Sequence, residues 1–124
     1  MSQKEMKYSV LFDYYGALLS ENQRNVIDLY YNEDFSLSEI ADEISITRQG
    51  VHDALHRAES ALDEFEHQLG LVKIQEKKCA IAEKMMQISA SLDPIFEHLP
   101  AAQKQDAEIC LCRFRELIGE LEKL

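Results

Sequence analysis

A chain of 124 residues, 46% of them hydrophobic, holds enough apolar material for one compact core or for a small domain with an extension. No run approaches the roughly 18 uncharged apolar residues of a membrane span, and the N-terminal MSQKEMKYS lacks the apolar centre of a signal peptide, so the expectation is a cytoplasmic protein with no membrane partner. The formal net charge of -10 opposes any phosphate-rich ligand at long range.

From Met6 to Leu19 the apolar residues Tyr8, Leu11, Phe12, Tyr15, Leu18 and Leu19 recur at three- and four-residue steps, which predicts an amphipathic first helix with Tyr14 off its face. Ser20 and Gln23 form a capping box that opens a second helix carrying Val26, Ile27, Leu29 and Tyr30. Polar residues 32 to 34 end it. Ser36 and Glu39 form another capping box, and a short third helix follows with Leu37, Ile40 and Ala41 on one face. Phe35, just before the cap, is placed to staple to Ile40.

Ser45 then occupies the turn. If that position needs positive φ, the cost to a residue other than glycine is about 1 kcal/mol. Thr47 is the N-cap of a fourth helix predicted to run from Arg48 to Leu69, with Val51, Leu55, Ala58, Leu62, Phe65 and Leu69 on its inward seam and Gly70 as its terminator. Arg48, Gln49, His52, Asp53 and His56 are left on the outward side of the helix start. A helix-turn-helix protein presents side chains to base edges from that position. Arg takes guanine O6 and N7, and Gln takes adenine N6 and N7.

Beyond Gly70 two further helices are expected, one near Val72 to Leu92 with Ile74, Ile81, Met85, Ile88 and Leu92, the other near Ala101 to Leu124 with a broad apolar face. Pro94 and Pro100 bracket the connector between them. The division is therefore a helix-turn-helix domain over 1–70 and a C-terminal helical extension over 71–124. The apolar face of the last helix suits either an intramolecular bundle or a homodimer, and the homodimer is the expectation. The three cysteines, Cys79, Cys110 and Cys112, are expected as reduced thiols packed in the core.

The charge is unevenly placed. Residues 1 to 70 hold five basic side chains against fourteen acidic ones, a net of -9, and residues 71 to 124 hold eight against nine. A domain at -9 is a poor match to the polyanionic backbone of DNA, whose binding is driven largely by cations.

The run ALLSENQRNVIDLYYNEDFSLSEIADEISITRQGVHDALHRAESAL resembles the helix-turn-helix of region 4 of bacterial sigma factors, with its Gln-Arg, its Glu-Ile-Ala, a short turn and a Leu-x-Arg-Ala. With LFDYYGALLS in front, residues 8 to 70 resemble the YlxM-like helix-turn-helix proteins, whose genes neighbour those of the signal recognition particle protein or its receptor. The resemblance implies an all-α fold of the three-to-four-helix, winged-helix-superfamily type with a long recognition helix, a non-enzymatic cytosolic protein, and a regulatory role in the signal recognition particle pathway. Site residues by this reading are Thr47, Arg48, Gln49, His52 and His56, with Arg57 and Arg24 as phosphate contacts implied by the resemblance.

Other chemistry is not supported. His52-Asp53-Ala54-Leu55-His56 differs from a zinc-protease motif by Asp for Glu, yet no third ligand is singled out, so no metal is expected. Cys110 and Cys112 lie about 200° apart around a helix, the wrong geometry for a joint site. No glycine-rich phosphate loop or nucleophile triad appears, and no cofactor is expected. Two partners remain: double-stranded DNA read by the outward helix face, or the signal recognition particle protein engaged by the acidic surface.

Overall fold

The computed structural model describes residues 6–124. Every regular element among the described residues is helical: α1 (Met6–Tyr15), a 3-10 turn (Gly16–Leu18), α2 (Glu21–Ile27), a π-helical turn (Asp28–Asn32), α3 (Leu37–Ile44), α4 (Arg48–Leu69), α5 (Leu71–Ser91), α6 (Asp93–Phe96) and α7 (Ala101–Glu122). The protein is all-α, with a helix-turn-helix formed by α3 and α4. Both capping boxes form: the Ser20 hydroxyl accepts from Gln23 N while Ser20 N donates to Gln23 Oε1, and Ser36 and Glu39 do the same. Each pair satisfies helix-start N–H groups that have no intrahelical partner.

The chain divides after Val72 into two compact units. In the first, α4 is the central element and touches α1, α2 and α3. Its inward residues Val51, Ala54, Leu55, Ala58 and Leu62 are buried with Leu11, Tyr15, Val26, Ile27 and Ile40. At about 25 cal/mol per Å² of apolar surface removed from water, this shared core is what holds a short α3 in place. Propensity alone does not hold an eight-residue helix.

Three expectations need correction here. Leu18 is 57% exposed: α1 tightens into the 3-10 turn after Tyr15, which changes the phase so that of the expected pair only Leu19 points inward. Leu69 is 51% exposed, because the inward line of α4 outruns the helices that cover it and effective burial ends with the half-buried Phe65. The second helix does not stay α-helical to its end. It widens at Asp28, with Glu33 N donating to Asp28 O at 3.0 Å and Phe35 N to Leu29 O at 2.9 Å.

The second unit contains α5, α6 and α7. Gln75, near the start of α5, donates through Nε2 to Glu122 O at the end of α7, while Ser89 near the end of α5 accepts from Arg115 Nε at 3.2 Å. The two long helices are therefore antiparallel. Ala82 and Ser89 on α5 and Leu111 and Ile118 on α7 are the buried residues of this pair. Arg115 also donates through Nη2 to Ser89 O and to Asp93 Oδ2, both at 3.2 Å, and so ties α7 to the end of α5 and the start of α6. A two-helix layer has only one inward line per helix. For that reason Cys79, Cys110 and Cys112, expected in a core, are all exposed free thiols.

Candidate nucleic-acid interface

The start of α4 is built by the turn before it. Ser45 takes left-handed backbone, φ 60 and ψ 45, and both Ser45 N and Ile46 N donate to Ala41 O, which closes α3. The chain reverses within three residues. Thr47 then caps α4, its hydroxyl accepting from Gly50 N at 2.9 Å. Gly50 lies close under this cap: a Cβ there would lie 3.1 Å from Thr47 Oγ1 and 3.5 Å from Ile46 Cδ1.

Outward from this start, Arg48, Gln49, His52, Asp53, His56 and Arg57 are all exposed, and Val51, Ala54, Leu55 and Ala58 point the other way. The geometry therefore brings six of the seven expected site residues, Thr47, Arg48, Gln49, His52, His56 and Arg57, onto one capped helix start. Gln49 Nε2 donates to Asp53 Oδ1 at 3.0 Å, and His52 Nδ1 lies 3.6 Å from the same oxygen. Asp53 thus holds the Gln49 amide along the helix surface. Among the described residues no side-chain hydrogen bond or ion pair engages Arg48, His56 or Arg57.

Arg24 is placed differently. Its Nε donates to Gly16 O at 3.3 Å and its Nη2 to Leu19 O at 3.1 Å, so two of its donors close the junction between α1 and α2. The guanidinium thus has structural employment before any ligand arrives. Among the described residues no group of three or more His, Cys, Asp or Glu converges as a metal site would require.

Behind the exposed face, sequence patterning missed a set of phenol-to-carboxylate bonds that fix α4 to its neighbours. Tyr8 donates to Asp63 at 2.9 Å, Tyr15 to Glu66 at 2.6 Å, and Tyr31 to Glu59. The acids at 59, 63 and 66 fall on one side of α4 by their spacing of four and three, and that spacing was the available signal. Burial first, and then the carboxylate each donates to, raises all three phenols above the ordinary tyrosine value. The Tyr15 oxygen also accepts from Leu71 N at 2.9 Å while Glu66 Oε1 accepts from Val72 N at 3.1 Å, which satisfies the first amides of α5.

Comparison with known proteins follows the same outline. The family model described as "Putative helix-turn-helix protein, YlxM / p13 like" matches residues 2–100. A UPF0122 protein of Thermoanaerobacter sp. (strain X514) is 41% identical over 116 residues, covering 94% of this chain and 92% of its own length. One from Shouchella clausii (strain KSM-K16) is 37% identical over 125 residues, covering 100% and 99%. Another, from Desulforamulus reducens, is 53% identical over 77 residues, covering 60% of this chain and 66% of its own.

Proposed function

Since the chain belongs to the YlxM/p13-like helix-turn-helix family, UPF0122, we propose that it is a non-enzymatic regulatory protein that reads double-stranded DNA with the start of α4, in the signal recognition particle pathway that its family resemblance suggests. The observation that carries this reading is the capped helix start with Arg48, Gln49, His52, His56 and Arg57 exposed around it. Arg48 and Gln49 are the base-reading pair, Arg57 is the phosphate contact, and Thr47 fixes the angle at which the helix begins. Arg24 supports the fold in this scheme and reaches phosphate only with the donors that its two backbone bonds leave over.

A second reading is favoured by the charge. With fourteen acidic residues against five basic over 1–70, the surface suits a basic protein partner, and the signal recognition particle protein is the candidate. The two readings separate in one experiment. Purified protein is selected against a random duplex library at low and near-physiological salt, alongside the Arg48→Ala, Gln49→Ala double variant. Enrichment of a motif by the parent and not by the variant is the expected result. An unselected library at both salts, together with saturable binding of the signal recognition particle protein by parent and variant alike, would overturn the DNA reading in favour of the second.

A further inference from the structure

The antiparallel pair of α5 and α7 buries one line of residues and leaves a second, more apolar one in solvent. On α5 Ile74, Ile81 and Ile88 recur every seven residues and are 59%, 56% and 65% exposed; along α7 and just past its end Phe114, Leu117 and Leu124 are 41%, 50% and 83% exposed. With Cys110 and Leu121 these residues step by four, three, four and three, a coiled-coil seam. At 3.6 residues per turn each stripe lies roughly a quarter turn from the buried line of its own helix, in the same rotational sense along the chain. Because the helices run in opposite directions, that common sense places both stripes on the same side of the layer. The result is one continuous apolar face on a layer two helices wide and one helix thick.

Charge identifies what covers it. Helix α5 carries four lysines and two glutamates, whereas α7 carries three basic and five acidic residues. The outer flank of the isoleucine stripe is Lys73, Lys77 and Lys84; the corresponding flank of α7 is Asp106, Arg113 and Glu120. A second copy laid on this face has two symmetric choices. Placing α5 on α5 sets the two lysine rims side by side. Placing α5 on the partner's α7 sets a basic rim against a mixed, acid-rich one, and neighbouring helices are antiparallel in either choice.

We propose that the C-terminal unit is half of a four-helix bundle, completed by a second copy of this chain with α5 of each copy seated on α7 of the other. Helices of 21 and 22 residues are roughly 32 Å long at 1.5 Å per residue. Two of them side by side offer on the order of 600 Å² per copy, at the low end of what a stable pair uses. This pairing is independent of what α4 binds.

The test uses the full chain. Sedimentation equilibrium is expected to give twice the mass of the single chain, and Ile81→Glu or Leu117→Glu to halve it at unchanged helicity, because both side chains are exposed in the single copy. Orientation is read in a background with the three exposed cysteines changed to serine, using a short bis-maleimide. Chains bearing Ile81→Cys are expected to cross-link to chains bearing Leu117→Cys when the two are mixed, and neither to itself. A single-chain mass at every concentration, or a dimer mass indifferent to both glutamates, would overturn the proposal. Self-cross-linking of the Ile81→Cys chain would overturn the α5-on-α7 arrangement.

Discussion

Thr47 and Gly50 form a coupled pair, and their coupling has a sign that can be worked out in advance. Thr47→Ala removes the acceptor of the Gly50 N–H, a capping loss of about 1 kcal/mol. Gly50→Ala has two opposed effects. Replacing a helical glycine gains about 0.5–1 kcal/mol by restricting the unfolded chain, but the new Cβ at 3.1 Å from Thr47 Oγ1 makes the hydroxyl give by a few tenths of an ångström, which strains its bond and offsets part of the gain. Gly50→Ala in the parent should therefore fall short of that gain. In the Thr47→Ala background, where there is no hydroxyl to displace, it should stabilise by the full helical gain of about 0.5–1 kcal/mol. Urea unfolding of the four proteins of this double-mutant cycle gives the interaction energy directly. Additivity within about 0.3 kcal/mol would refute the idea that a Cβ at position 50 strains the cap.

Ser45→Gly should stabilise the domain by up to about 1 kcal/mol, since φ 60 costs a side chain that glycine lacks; a lower urea midpoint would contradict this. Tyr15→Phe keeps the buried ring but withdraws the acceptor from Leu71 N, so amide exchange at Leu71 should quicken while that of Tyr14→Phe, an exposed ring, matches the parent. The three raised phenols keep their protons to higher pH in the folded chain than in the unfolded one. Their contribution is whole below the ordinary phenol value of about 10 and falls as pH rises above it. Thermal melts should show a loss of stability above about pH 10 that Tyr31→Phe makes shallower.

The helix-turn-helix was legible because its signals are local. Two capping boxes, the Thr47 cap and the seam of α4 as far as Phe65 each need only residues within a turn or two, and these formed as the spacing required. Ser45 was readable for the same reason, as a turn position whose backbone geometry follows from the helices on either side. What failed depended on distant partners. Leu69 continued a perfect period but had nothing to pack on, and a period records the face of a helix and not the length of its cover. The cysteines sat among apolar neighbours in sequence, yet a layer of two helices exposes most of such positions. Arg24 is a separate case: the resemblance makes it a phosphate contact, and the structure adds hydrogen bonds to Gly16 and Leu19 across a junction no pattern displays. The phenol-carboxylate bonds join residues 28 to 55 positions apart, a separation at which the spacing of the acids marks a face of α4 but names no partner for it.

The wide turn at Asp28–Asn32 sets the phase of everything between α2 and α3. An α-helix advances about 100° per residue and cannot turn three consecutive side chains toward one side. Yet Leu29, Tyr30 and Tyr31 are all packed against the core, with the two tyrosine rings edge to face at 5.0 Å. The additional residue in the turn supplies the missing rotation, and a π turn of this kind amounts to an inserted residue accommodated without a loop. Deleting one residue here would leave a regular helix that looks better by every local rule. It would also swing one aromatic ring into water and detach Glu59 of α4 from its tyrosine, so the irregular turn is the part of the domain least open to regularisation.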